Sequence, residues 1–163
     1  MILQSEKTSR ATVFIRTEWS SAGELLPASG SGFFVSPQGH VLTNHHVVAS
    51  SREDRGPAGR GDTMVRSGPP LVVANSGTPA ERQLEAQILS VDKECDLALL
   101  KTSFRSAHWL EVTGSDAVTI TQHGWAVGFP LGDMLSLNKG NPEVTVSAVR
   151  VSYQLATVPC LSR

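Results

Sequence analysis

The apolar residues of this chain fall in short runs rich in Val, Leu, Ile and Phe, and Gly, Pro, Ser or Asn breaks nearly every run. Runs of about four to eight residues with such punctuation are strand-and-turn patterning. Residues 11–17 predict a first strand. Residues 32–35 and 40–43 predict a hairpin joined by Ser36, Pro37, Gln38 and Gly39. Pro37 presets φ for that turn and Gly39 supplies a positive φ. A single helical turn fits at 47–50. Residues 51–70 are dominated by Arg, Gly, Pro, Asp and Ser, and predict an exposed loop with a short strand at 63–66. Strands resume at 71–74, turn at Asn75, Ser76 and Gly77, and continue through 84–91 and 97–101. Residues 104–124 mix short runs with turns, and 125–128 and 143–149 predict two more strands. There is no internal repeat and no convincing long amphipathic helix, so the expected fold is all-β and barrel-like.

Composition narrows the class. A chain of 163 residues has room for one good core, or for one small β-barrel and part of another. With 40% hydrophobic and 18% charged residues, wholesale disorder is excluded. A net charge of −1 leaves no bulk electrostatic case for nucleic acid or an acidic membrane surface. No stretch approaches the roughly 18 consecutive apolar residues of a membrane helix. Residues 1–7 hold no apolar core of a secretory signal, so the expected compartment is the cytoplasm by default. Cys95 and Cys160 allow one disulfide at most, and their spacing gives neither a disulfide framework nor a zinc site. They are expected as free thiols, with Cys95 near a strand start. No cofactor and no metal site is expected.

Three blocks carry the candidate chemistry. The first runs from Gly30-Ser31-Gly32-Phe33-Phe34-Val35 through the turn to Val41-Leu42-Thr43-Asn44-His45-His46-Val47-Val48. The second is Asp96-Leu97-Ala98-Leu99-Leu100-Lys101, preceded by Asp92-Lys93-Glu94-Cys95, and the third is Trp125-Ala126-Val127-Gly128-Phe129-Pro130-Leu131-Gly132. Taken alone, a histidine before two valines is a packed or surface residue, and Asp96, like Asp92, is a turn carboxylate. The glycines of either loop need mean no more than special φ or close backbone approach.

In order and content the three blocks resemble the trypsin-like serine proteases of the HtrA/Deg type, over about residues 11–152. The agreement of three separate blocks is what makes the match specific. The resemblance implies an all-β, trypsin-like six-stranded β-barrel over residues 1–112 carrying His46 and Asp96, and the start of a second barrel over 113–163. It also implies proteolysis of unfolded or exposed polypeptide, with His46 as general base and acid and Asp96 as the carboxylate that orients it. An imidazole can take a proton from a serine hydroxyl and return it to the leaving amine, while a buried carboxylate fixes the tautomer. His45 stands where the family usually has a small residue and is expected to be partly exposed beside the site. His40, His108 and His123 match no motif position and are expected at the surface.

The family sets its serine in Gly-Asn-Ser-Gly-Gly, whose backbone N–H groups also build the oxyanion hole, and that motif does not occur in these 163 residues. Ser147, Ser152 and Ser162 qualify by residue type alone. Beyond residue 152 the resemblance fades. The nucleophile is therefore expected past the C-terminus, and the chain is expected to be truncated and inactive as written, without the PDZ domains that often follow. Two other readings stand beside this one. One is a non-catalytic β-domain that binds a peptide or partner through strand edges, and the other is a gene remnant.

Overall fold

A computed structural model describes residues 2–21, 24–49, 65–114, 118–132 and 140–152. Among these described residues nine strands and two helices follow in the order α1 (Ile2–Ala11), β1 (Thr12–Ser21), β2 (Glu24–Phe34), β3 (His40–Thr43), α2 (His45–Val48), β4 (Val65–Arg66), β5 (Leu71–Ala74), β6 (Arg82–Asp92), β7 (Leu97–Thr102), β8 (His123–Gly128) and β9 (Thr145–Arg150). Strands β1, β2, β3, β7, β6 and β5 pair in that order, each antiparallel to the next, and β5 returns to β1. The expected all-β, trypsin-like six-stranded barrel is thus present and closed. Closure removes the open edges that a flat sheet of this size would leave. Beyond it, β8 and β9 form a separate two-stranded sheet.

Alternation places the core. Val13 and Ile15 of β1, Phe34 of β2, Val41 of β3, Val72 of β5 and Leu100 of β7 are all fully buried in one cluster. Successive residues of a strand point to opposite faces, so Phe14 and Val73, which alternate with these, face away from this cluster. A second, smaller cluster joins Phe14 and Val73 on the outside of the barrel to Phe129 and half-buried Val144, with the Phe14 and Phe129 rings 5.2 Å apart.

Several elements depart from the sequence expectation. Helix α1 was not anticipated, because residues 2–11 show no apolar stripe. It is supported instead by the Glu6–Arg10 pair at 2.7 Å, one turn apart, and by Lys7 lying 5.6 Å over the Trp109 ring. Strand β2 begins eight residues before Gly32, through a segment containing Pro27, Ser29 and Gly30 that has weak strand propensity. Pairing with β1 along its whole length overrides that propensity, and Pro27 is tolerated because β3 joins β2 only from Gly32 onward. The helical turn lies at 45–48 and not at 47–50, for a reason that belongs to the site. Of the short strand expected at 63–66, Val65–Arg66 is present and residues 63–64 lie outside the described residues.

Strand β6 contains an irregularity. Ile88 pairs with Leu100 and Ser90 with Leu99, so Leu89 is an extra residue with no partner in β7.

Candidate active site

The register of β3 on β7 brings the two halves of the site together. Thr43 pairs with Ala98, so the residues after β3 continue alongside those before β7. Asn44 ends the extended run with φ −76° and ψ 145°, and its side chain makes no cap of its own. Asp96 supplies that function from across the fold. Its carbonyl accepts from the His45 N–H at 3.0 Å and from the Asn44 side-chain amide at 3.0 Å, and its carboxylate Oδ1 accepts from the His46 N–H at 2.9 Å. The first two N–H groups of the helical turn are thus satisfied by one residue, which is why the turn starts at His45.

Asp96 adopts φ +51°, the left-handed region that Asp visits more readily than most side chains. This backbone turns both its carbonyl and its carboxylate toward α2. Carboxylate Oδ2 lies 2.6 Å from His46 Nδ1. Asp96's pKa is lowered. Partial burial works to raise it, but the two hydrogen bonds from His46 and the charges of His46 and His45 outweigh that effect. An ionised carboxylate only accepts, so Nδ1 carries a proton, and in the neutral imidazole the lone pair is then on Nε2. His46 keeps 66% of its side-chain surface and Asp96 44%. The carboxylate is therefore not the buried one the chemistry calls for. Among the described residues nothing covers the outer side of the pair.

The helix is seated by close packing. A Cβ on Gly30 would stand 2.5 Å from a methyl of Val47, so the absence of a side chain on β2 lets α2 approach. Ser31 links the first and third blocks: its Oγ accepts from the Phe129 N–H at 2.8 Å, and its carbonyl accepts from the Thr43 hydroxyl at 2.8 Å. The three sequence blocks thus share one region of the structure.

Among the histidines, only His46 reaches Asp96's side chain. His45 is half-buried on the opposite side of the turn, in a cavity with Trp19 and Val48. His40 and His108 are half-buried. His40 Nδ1 lies 2.7 Å from Ser36 Oγ in the β2–β3 turn, while His123 is exposed. Ser147 and Ser152 are exposed, and Ser162 lies outside the described residues. Among the described residues no serine hydroxyl bonds to His46. Asn75-Ser76-Gly77 repeats part of the family's serine motif, ahead of Asp96 in the chain. Ser76 is buried there and donates to the Pro142 carbonyl at 2.6 Å, so it holds a turn. Cys95 is disulfide-bonded, which overturns the expectation of a free thiol, and Cys160 lies outside the described residues. Cysteine spacing alone carries no signal for such a bond. No group of three or more metal-ligating side chains occurs among the described residues, and none of their helices is long and apolar enough to cross a membrane.

Comparison with known proteins agrees with this geometry. Residues 30–157 match the family described as Trypsin-like peptidase domain. The chain is 30% identical over 111 residues to a probable periplasmic serine endoprotease DegP-like of Pseudomonas putida, a match covering 68% of this chain and 19% of the relative. The protein of the same description from Chlamydia muridarum is 31% identical, covering 68% and 18%. Among solved structures, Deg5 superposes with a TM-score of 0.66 at 23% identity, over 97% of this chain and 65% of that one, a likeness of fold. The chain spans about a fifth of the length of the curated relatives it matches. Their description as periplasmic overturns the expectation of a cytoplasmic protein, which rested on the first seven residues and on the lack of a long apolar stretch.

Proposed function

Because this chain belongs to the trypsin-like serine proteases of the HtrA/Deg type, we propose that His46 is its general base and acid and that Asp96 is the carboxylate orienting it. The observation that carries this reading is the double engagement of Asp96 by His46, at 2.9 Å to the backbone N–H and 2.6 Å to the ring. With Nδ1 held protonated, Nε2 takes the proton of an attacking serine hydroxyl as the tetrahedral intermediate forms. It returns that proton to the leaving amine as the peptide bond breaks. Asp96 stays ionised throughout and stabilises the imidazolium. The substrate class is unfolded or exposed polypeptide, and the compartment is the periplasm named for the relatives. A disulfide at Cys95 fits that oxidising setting. Residues 1–112 form the barrel unit that bears the pair, and 113–163 begin a second unit.

These 163 residues contain no Gly-Asn-Ser-Gly-Gly, so the base and its orienting carboxylate are assigned here and no nucleophile is. A polypeptide of these 163 residues alone is expected to turn over no substrate, since the motif that would supply the serine and the oxyanion donors is not among them. The test is incubation of the purified chain with unfolded casein and with a fluorophosphonate probe. Neither cleavage nor labelling is expected. Serine labelling that disappears in His46→Ala would overturn the assignment of an inactive polypeptide.

A further inference from the structure

We propose that the β5–β6 turn, residues 75–81, is an acid-released clasp: ionised Glu81 grips residues 141–144, and its protonation frees them and loosens the β8–β9 sheet they lead into. The inference goes beyond the His46–Asp96 reading and does not depend on it.

The turn and the segment are fitted to one another. The backbone is left-handed at Asn75 and Gly77, with φ +51° and +74°. Ser76 between them is buried, and its hydroxyl donates to the carbonyl of fully buried Pro142 at 2.6 Å. A Cβ on Gly77 would stand 2.6 Å from Glu143 Cγ, so the close approach requires a residue without a side chain. Next along the segment, Val144 packs against Phe14, Val73 and Phe129. Thr145 then opens β9, which pairs with β8 from Gly128 back to His123. What holds residues 141–144 therefore holds one end of this sheet to the barrel.

Glu81 is the part of this grip that acid can change. Its Oε2 accepts from the Gly77 N–H at 2.9 Å, and its Oε1 accepts from the Asn141 amide at 2.7 Å and from Gln83 at 3.3 Å. Asn141 Oδ1 in turn accepts from Arg16 at 3.4 Å, so its amide spans an anion and a cation with each end on the matching charge. These three partners of Glu81 are all donors, and both carboxylate oxygens are engaged. A neutral carboxyl carries a hydrogen on one oxygen, which then confronts a donor instead of accepting from it. Charge-assisted bonds are about twice as strong as neutral ones, so protonation also weakens the bonds that remain. Of the charged groups nearby, Arg16 on β1 favours the ionised form, Glu143 lies on the held segment itself, and Arg82 and Glu85 on β6 are exposed. Partial burial works against the charge, but the bonds and Arg16 outweigh it, so the clasp opens only below the ordinary glutamate value.

The test follows the 163-residue chain by NMR from neutral pH down through the titration of Glu81. Its carboxyl carbon, the Gly77 amide and the Asn141 side-chain amide are expected to shift together, with one midpoint below the ordinary glutamate value. Through that midpoint the amides of 143–149 are expected to exchange about tenfold or more faster, relative to their free-peptide rates. Those of Leu97–Thr102 keep their protection. Glu81→Gln, which puts an amide N–H where an oxygen accepted, is expected to show the fast exchange already at neutral pH. Asn141→Ala, which leaves the Gly77–Glu81 bond in place, is expected to do the same and to raise the Glu81 midpoint. Four results would overturn the proposal. They are Gly77 and Asn141 signals that do not follow Glu81, wild-type protection of 143–149 in either variant, no protection of 143–149 at any pH, and loss of protection in β7 at the same midpoint.

Discussion

His46 meets both oxygens of the Asp96 carboxylate, one through its backbone N–H and the other through its ring. The two contacts are separable by mutation, because truncating the side chain leaves the backbone donor in place. Asp96 should therefore titrate below an ordinary aspartate, and in His46→Ala its pKa should rise. The sign for stability follows. A depressed folded-state pKa stabilises the fold above the ordinary aspartate value, and the contribution is lost as pH falls through Asp96's own, lower pKa. With 44% of its side chain exposed, the contribution is screened and small. Carboxyl chemical shifts against pH measure both quantities. In a longer chain that supplies the serine, Asp96→Asn should lower kcat by about 10⁴-fold, the loss seen for such a change in a serine protease triad.

Gly30→Ala should disturb the site without touching it. The added methyl meets Val47 at 2.5 Å and pushes on the helix that carries His46. Overpacking of this kind costs about 1–3 kcal/mol, which a urea melt would record as a lower midpoint at unchanged slope. The double variant Gly30→Ala/Val47→Ala should lose less than the sum of the two single changes, because the two residues share one space.

Phe129→Ala should loosen the third block while sparing the barrel. Phe129 is 4% exposed and packs on Phe14 in a cluster of few members. The expected cost is about 3 kcal/mol, at the lower end for a buried phenylalanine. Amides of 128–132 should then exchange faster, while those of Leu97–Thr102 keep their protection.

Glu81 gives a second pH dependence. Partial burial works to raise its pKa, but it is lowered overall. It accepts from the Gly77 N–H at 2.9 Å and from Asn141 at 2.7 Å, with a further bond from Gln83 and the Arg16 charge nearby. The stability it contributes is present above the ordinary glutamate value and disappears as pH falls through its depressed one. The difference in denaturation midpoint between wild type and Glu81→Gln should accordingly shrink to nothing with acidification across that window.

The barrel was legible where alternation is plain, as in β3 and β7, whose inward residues could be read directly from the period. It was not legible where pairing outvotes propensity. Residues 24–31 contain proline and glycine, and only their partner β1 makes them a strand. The site divides in the same way. His46 and Asp96 were identifiable because three blocks match a family in order. Fifty residues separate them, however, and no local pattern could show that the Thr43–Ala98 register brings them together. The left-handed backbone of Asp96 and its capping of α2 follow from that register, so they had no signature of their own.

Leu89 has a consequence for chain length. Ile88 and Val91 border the same cavity although three positions separate them, because the ladder passes over the residue between Ile88 and Ser90. A one-residue deletion at that point would leave Ser90 opposite Leu99, Val91 opposite Ala98 and Asp92 opposite Leu97. Length is therefore silent at this position in a way it is not elsewhere in the strand. The chain can shed one residue there without moving the turn that delivers Asp96.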